Sequence, residues 1–546
     1  MGSSSPLELF YPSFDQDPLG YLSTSVHGRA TIPRLIERFK NMFISDAKEH
    51  SIPVRSISAN GAVDKINLLS DNEVRDFLGD VPTQTLRNTA STTGTFNYQK
   101  DEKCRFIHLC TPSTVGPLKL HPRMLLRLMT FYQVMSQVLD FLYVYSSQHA
   151  EDRELRFSGF RTEKALANPD SSTIVPELGR SGRRYQLCLN LKTVAPKPDG
   201  NWKIRQAIIY HQFDVGQGTQ LWLIGDPHGI LKKRVGELYH DSKLYPTSFS
   251  TVSQGFMSSL EVHLDFAEWA ASEWRWHLLF LEDRAEELTK PARIRERSHL
   301  ETIKPASLTD VQKWEEKTND TIMAMESNVN IMRLLQRFYR DLLKDENFPA
   351  KERILCQQAT KTFSFRLEEL VCETQMQIMR AKALAKLVAD RKTIIIQHLQ
   401  TQSAIVSSKL AASMFKQADR SAMEAIAVRI VTIVTMIYLP ATFSSTFFST
   451  DVVKYQEGEV FSKLALMRFV EVTLPLMILT FVPAGVWFWM ELRKRTQKSH
   501  KIKRSMSELF PPDAAEVRQT SPDPFPPNSA NLLVKNGSRW QTRNGH

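Results

Sequence analysis

The stretch Ala425-Ile-Ala-Val-Arg-Ile-Val-Thr-Ile-Val-Thr-Met-Ile-Tyr-Leu-Pro-Ala-Thr-Phe-Ser-Ser-Thr-Phe-Phe-Ser-Thr-Asp451 decides the architecture of this chain. No charge stands between Arg429 and Asp451, and at the α-helical rise that span covers roughly 30 Å, the thickness of a bilayer's hydrocarbon core. A second uncharged run, Val472-Thr-Leu-Pro-Leu-Met-Ile-Leu-Thr-Phe-Val-Pro-Ala-Gly-Val-Trp-Phe-Trp-Met490, lies between Glu471 and Glu491. Trp487 and Trp489 close it where an aromatic belt sits at a membrane surface. Spans of about 430–450 and 472–490, joined by a short loop, are predicted to form a membrane hairpin.

Lysines and arginines set the expected orientation. Arg493, Lys494, Arg495, Lys498, Lys501, Lys503 and Arg504 follow the second span, whereas the loop offers only Lys454, Lys463 and Arg468 against Asp451, Glu457, Glu459 and Glu471. By the positive-inside rule both termini of this multi-pass integral membrane protein are expected in the cytosol. The formal charge of +11 is partly accounted for by this juxtamembrane cluster, which anionic lipid attracts, so membrane lipid and not nucleic acid is the expected partner. Five cysteines, Cys104, Cys110, Cys188, Cys356 and Cys372, lack metal-ligand spacing and fit a reducing compartment. No apolar h-region precedes Tyr21, so no cleaved signal peptide is expected.

Working back from the hairpin, the chain divides by composition. Residues 1–30 are rich in Ser, Pro, Gly and Asp and are expected to lack order; residues 31–250 read as a cytosolic α/β domain. Within it Arg34–Phe43 is helical in pattern, Thr89–Thr95 reads as a loop, Arg105–Cys110 alternates as a strand, and an apolar helical pattern runs from Pro122 to about Tyr145. Tyr185–Leu191, Ile204–Phe213 and Gln220–Gly225 are further strands, the last two joined by the hairpin signal Val215-Gly-Gln-Gly-Thr219.

Between Gly255 and Gly458 there is no glycine and few prolines, which predicts a helical stalk region over residues 251–428. One helix is expected from about Met257 to Thr289, and a second from Thr309, whose Thr-Asp-Val-Gln312 reads as a capping box. A third has no breaker from about Ala350 to Leu439. Its apolar or small residues Leu367, Val371, Ile378, Ala381, Ala385, Val388, Ile395, Leu399 and Val406 recur at a spacing near 3.5, as in a coiled coil. Unbroken from Phe365 to Pro440 it would be about 110 Å long. The hairpin then occupies residues 429–491, and residues 492–546 form a cytosolic tail, basic at first and, from Met506 on, polar, proline-rich and expected to lack order. The whole reads as an α+β cytosolic domain with a long helical stalk and a C-terminal two-helix transmembrane hairpin.

On the first span Thr435, Leu439, Thr442, Thr446, Ser449 and Thr450 fall in one stripe at helical spacing. Around a symmetric pore such hydroxyls line a path of weak oxygen ligands suited to a hydrated cation; equally, Ser and Thr in membrane helices bond back to their own carbonyls or join helices. Asp451 closes the span. A ring of such carboxylates, one per subunit, would concentrate and bind divalent metal cations at the mouth, with Glu457 and Glu459 adding to the field, or Asp451 is simply a helix-end charge. Acidic Glu282, Asp283, Glu286 and Glu287 read either as interface cation sites or as a solvated helix face.

With these residues in view, the chain resembles the CorA family of pentameric Mg²⁺ channels, which pair a cytosolic α/β domain with a long stalk helix running into the first of two spans. Ile437-Tyr-Leu-Pro-Ala-Thr-Phe443 is similar to the stretch before that family's Gly-Met-Asn signature. Counted without gaps, the family's Tyr/Phe-Gly-Met-Asn falls on Phe448-Ser-Thr-Asp451, and the Glu of its loop motif falls on Glu457. Phe157-Ser-Gly-Phe-Arg161, Leu178-Gly-Arg-Ser-Gly-Arg183, Trp202-Lys-Ile-Arg-Gln206 and Tyr210-His-Gln-Phe-Asp214 resemble the divergent fungal CorA-like transporter-domain branch. The resemblance implies a homopentamer passing Mg²⁺ or another divalent cation, with that ion as cargo and no cofactor. Only Asp451 keeps a side-chain oxygen at the family's Asn position, so the alternative is a non-conducting membrane-anchored scaffold or sensor. No enzyme is expected: His211 and Asp214 lie on or just after a predicted strand with Ser158 elsewhere, a lone strand histidine is more often a packed or surface residue, and there is no phosphate-cradling loop, zinc motif or nucleophile elbow.

Overall fold

The computed structural model describes residues 11–79, 100–146, 155–167, 174–227, 229–240, 249–293, 304–449 and 463–509. They fall into two compact units, one ending at Ala404 and the other beginning at Ile405.

The first unit is built on a seven-stranded sheet. Its strands are β1 (Ile52–Ile57), β2 (Val63–Leu68), β3 (Cys104–Thr111), β4 (Phe160–Ala165), β5 (Arg184–Pro196), β6 (Trp202–Asp214) and β7 (Gln220–Pro227), in the spatial order β2-β1-β3-β7-β6-β5-β4. Only β3 and β7 run parallel; every other pair is antiparallel. The β6–β7 turn is built around Asp214, whose Oδ1 accepts from the N–H groups of Gly216 and Gln217, each at 2.9 Å. Gly218 sits there at φ +70°, and a Cβ on it would lie 3.0 Å from the Cα of Val252, so both conformation and space demand glycine.

Helices cover both faces of the sheet. On one side lie α1 (Val26–Met42), α2 (Asp71–Phe77), α3 (Pro122–Tyr132) and α4 (Val138–Leu142), contributing Leu35, Met124, Leu128 and Phe141 to a core shared with Ile107, Tyr210 and Leu223. On the other lie α5 (Ile230–His240), α6 (Val252–Ala271), α7 (Trp274–Arg293), α8 (Pro305–Lys344) and the first part of α9 (Ala350–Ser449), packed on Phe106, Tyr185, Ile209 and Trp222. Burial on both faces explains why β5 and β6 read as apolar runs.

Several expectations are corrected here. The predicted helix from Pro122 to Tyr145 breaks at Gln133, which takes the left-handed conformation at φ 53° and ψ 48°. That from Met257 to Thr289 is two helices, parted at Glu273 with φ 68°. Neither Gln nor Glu announces a positive φ in a sequence. The capping box is not at Thr309, because α8 starts one turn earlier, with Pro305 pre-setting φ in its first turn. It lies at Thr251, whose hydroxyl accepts from Gln254 N while the Gln254 side chain accepts from Thr251 N. Strands β1, β2 and β4 have no counterpart in the sequence reading. The Thr89–Thr95 loop, the first ten residues and the tail from residue 510 lie outside the described residues.

Helix α9 is continuous over 100 residues and passes Pro440 without a break. Leu367, Val371, Ile378, Ala381, Val388 and Ile395 of the predicted seam are buried; Leu384 is buried beside them, and Ala385 only partly. Leu399 is half-buried and Val406 exposed. Asn328 of α8 fastens the helical layer to the sheet. Its Oδ1 accepts from Lys192 N at 2.9 Å and its Nδ2 donates to Lys192 O at 2.6 Å. Strand β4 pairs with β5 only as far as Leu189, so this amide takes the place of a neighbouring strand at Lys192.

Candidate functional site

Among the described residues two helical stretches are long and apolar enough to cross a membrane, the end of α9 and the first part of α10 (Lys463–Leu509); both lie in the second unit and are almost wholly exposed within this chain. They pack antiparallel. The guanidinium of Arg429, before the first span, lies 5.2 Å from the ring centre of Phe488, at the end of the second. Between Arg429 and Ser449, among the residues whose burial is described, those drawn in from solvent are Met436, Pro440 and Ser444, spaced four apart along one face. On α10 the matching face carries Phe469, Thr473, Leu476, Met477, Thr480, Phe481 and Ala484.

This contact fixes where the hydroxyl stripe points. At about 100° per residue, Thr435, Leu439, Thr442, Thr446 and Ser449 cluster within about 40° of a common direction, and Met436, Pro440 and Ser444 centre about 140° away from it. All five stripe residues are exposed within one chain, Leu439 at 72%. The stripe therefore faces away from the hairpin partner, toward whatever lies outside this chain.

Each stripe hydroxyl is engaged with its own backbone. Thr435 Oγ1 donates to Thr432 O at 2.9 Å, Thr442 to Tyr438 O at 2.8 Å, Thr446 to Thr442 O, and Ser449 to Thr446 O at 2.9 Å. A hydroxyl that donates inward keeps its lone pairs directed outward, so the stripe presents acceptors. Thr450, Asp451, Glu457 and Glu459 lie outside the described residues.

In the first unit the residues singled out by the sequence have structural partners. His211 is fully buried, stacked on Trp222 at 3.9 Å between ring centres and bonded to His263 at 3.2 Å. Asp214 also accepts from Ser181, through N at 2.7 Å and Oγ at 2.5 Å, and so ties the β6–β7 turn to the Leu178–Arg183 segment. In that segment Arg180 pairs with Asp101 at 2.6 Å and donates to Phe131 O at 2.7 Å, while Arg183 reaches Asn347 O, between α8 and α9, at 2.6 Å. Phe157 O accepts from Asn190 Nδ2 at 2.9 Å and from Lys192 Nζ at 2.8 Å. These motifs are fasteners. Nothing in the sequence distinguishes them from a ligand site, because arginine and glycine serve both uses. Glu282 is held by Arg380, Nε to Oε1 at 2.7 Å, and Glu287 by Arg284. Among the described residues no group of three or more His, Cys, Asp or Glu is arranged to hold a metal ion.

An α/β sheet domain, a run of long helices and a C-terminal pair of candidate membrane spans are the architecture of this chain, and the spans point to a membrane protein. Residues 22–293, about half of the chain, match the model of the CorA-like family, CorA-like transporters. Members of this family are transporters, not enzymes. No curated protein matches the chain. Among the solved structures similar to it are the following two. The full-length CmaX protein is 11% identical with a TM-score of 0.31, over 82% of this chain and 100% of that one. The ZntB cytoplasmic domain from Vibrio parahaemolyticus is 12% identical with a TM-score of 0.26, over 61% and 97%.

Proposed function

We propose that this chain is one subunit of a CorA-type divalent-cation transporter, with Mg²⁺ its cargo and a homopentamer its working form. The ion path runs along Thr435, Leu439, Thr442, Thr446, Ser449 and Thr450. Asp451 sits at the mouth in place of the family's amide, and Glu457 and Glu459 add to the field there. Both termini lie in the cytosol. The observation that carries this reading is the direction of the stripe, exposed and turned about 140° from the face that meets α10, as symmetry-related pore linings require. Outward acceptors suit a cation that keeps its water, since Mg²⁺ sheds its inner shell reluctantly.

A second reading, a non-conducting membrane scaffold, draws on the same hydroxyls. Their bonds to their own backbone are also what lipid-facing Thr and Ser make. Mg²⁺ uptake into liposomes holding the purified full-length protein, with Asp451→Ala beside the parent, separates the two. Uptake by the parent that falls at least tenfold in the variant supports the channel. No uptake of Mg²⁺ or other divalent ions by a folded oligomer leaves the scaffold.

A further inference from the structure

Two hydroxyls in the hairpin stand out because they are buried and yet unpartnered. Thr435, Thr442, Thr446 and Ser449 on α9 and Thr480 on α10 all bond back to carbonyls three or four residues earlier. Ser444 and Thr473 do not: both are buried, at 2% and 8% exposure, and Ser444 Oγ and Thr473 Oγ1 have no hydrogen-bond partner. A buried hydroxyl without a partner in a hydrocarbon setting is costly, so the pair needs an explanation.

Their positions supply one. Fifteen residues separate Arg429 from Ser444, and fifteen separate Thr473 from Phe488. Since Arg429 and Phe488 are in contact and the helices run antiparallel, Ser444 and Thr473 stand at one level, about 22 Å further along the hairpin. Each also lies on the face its helix turns toward the other. Pro440, buried one turn before Ser444, lacks the N–H that would close on Met436 O, so α9 is least held by its own bonds beside this level.

We infer that Ser444 and Thr473 form a hydroxyl latch between the two membrane helices, closing on one another after rotation about χ1 or through one shared water. The latch fixes the rotation of α9 about its axis, and thereby turns Thr435, Thr442 and Thr446 away from α10. Its value as a positioning device rests on the stripe being the ion path; its existence does not. Ser444 and Thr473 are positioning residues and touch no cargo. The alternative is that each hydroxyl bonds back to its own helix, Ser444 to Pro440 O and Thr473 to Phe469 O, and the two are only neighbours.

The test uses the full-length protein in lipid vesicles, with Cys372→Ser removing the exposed native thiol. Ser444→Cys with Thr473→Cys is expected to cross-link under copper–phenanthroline at least tenfold faster than Ser444→Cys with Thr480→Cys, read by mass spectrometry of the joined peptides. Equal rates overturn the shared level and the latch with it. The hydroxyls are then tested through a reporter pair two turns away, Met436→Cys with Phe481→Cys. Ser444→Ala with Thr473→Ala is expected to slow reporter cross-linking at least threefold, whereas Ser444→Thr with Thr473→Ser, which keeps both hydroxyls, leaves it unchanged. A reporter rate indifferent to loss of both hydroxyls refutes the latch. None of these readouts needs ion flux, so a protein that cross-links as expected yet takes up no Mg²⁺ sinks the channel reading and leaves the latch standing.

Discussion

His211 and His263 share a hydrogen bond in the middle of the first unit, Nε2 of one 3.2 Å from Nδ1 of the other, with Trp222 stacked on His211. Two imidazoles can share that bond when both are neutral, one donating and one accepting. Burial lowers the pKa of His263 to about 3 and takes that of His211 well below the ordinary value, helped by His263; His277, also buried, is lowered to about 4. An unfolded histidine titrates near 6.5. Above that pH neither state binds the proton and nothing is lost. As the pH falls from about 6.5 toward the folded values, the unfolded chain takes up protons that the folded one refuses, and stability drops by about 2 kcal/mol per buried imidazole at pH 5. Thermal unfolding of the full-length protein in detergent, followed by tryptophan fluorescence, should therefore shift down between pH 7 and pH 5, with a shallower shift in His263→Phe. A flat profile would count against the neutral pair.

Asn328 predicts a second large effect. Its amide serves both backbone groups of Lys192 and also donates to Ala270 O at 3.1 Å, all in the buried layer between sheet and helices. Asn328→Leu keeps the volume and orphans those groups, for an expected loss of roughly 3 kcal/mol. Asn328→Asp retains only the acceptor and should also fail. Denaturant unfolding of the two variants beside the parent measures it, and a change under about 0.5 kcal/mol in the Leu variant would mean that α8 is not what satisfies this part of β5.

Gly225 and Tyr145 make a third test. Tyr145 Oη donates to Gly225 O at 2.8 Å, and a Cβ on Gly225 would stand 2.7 Å from that same hydroxyl oxygen. Gly225→Ala should be destabilising by about 2 kcal/mol, as an overpacked core site. Adding Tyr145→Phe removes the nearest atom in the way and leaves ring carbons at 3.0 and 3.2 Å, so the double variant should recover part of the loss, although Tyr145→Phe alone weakens the protein. Strict additivity of the two changes would place the strain elsewhere.

How much of this could be read beforehand follows from which features are local. The uncharged runs of α9 and α10, the alternation of β3 and the hairpin at Val215–Thr219 are signals within one segment, and each has its element in the structure. The breaks at Gln133 and Glu273 were invisible because tertiary packing, not residue type, holds them at positive φ. Strand β2 was missed since its side chains are mostly exposed, which leaves no apolar alternation to see. For the site, the helical spacing of Thr435, Leu439, Thr442 and Thr446 was legible. The side of α9 they occupy relative to α10 was not, because that depends on which residues pair across the hairpin. Ser444 and Thr473 escaped notice for the same reason: a lone hydroxyl in an apolar run has no meaning until the opposite helix is in register.

Glu282 bears on where cations act. The sequence left it open as an interface cation ligand, whereas the structure joins it to Arg380 through two nitrogens, Nε at 2.7 Å and Nη2 at 2.5 Å, in a bidentate pair about one-third exposed. A carboxylate so engaged has little to offer a divalent ion. Glu282→Gln should change stability by less than about 1 kcal/mol, in keeping with a solvent-screened pair. It should leave any Mg²⁺ dependence of proteolytic protection of the full-length protein where it was. A variant that loses such protection would return Glu282 to the list of cation ligands.

The stripe itself yields the last expectation, which compares two threonines with similar local bonding and different outlook. Thr442 and Thr480 both donate to carbonyls of their own helix, at 2.8 Å and 3.1 Å. Thr442 is exposed on the face turned from α10, whereas Thr480 is half-buried on the α10 face that meets α9. Valine replaces each hydroxyl by a methyl of similar size, removing an outward acceptor in one case and a packed one in the other. If a hydrated cation passes along the stripe, Thr442→Val should lower Mg²⁺ uptake by liposomes at least threefold, because a ring of acceptors becomes a ring of methyl groups in every subunit. Thr480→Val should leave uptake within about 30% of the parent, since lost helix-internal hydroxyl bonds alone contribute little. Equal losses in both would mean that the effect is on helix packing, and an unaffected Thr442→Val would move the ion path off this face of α9.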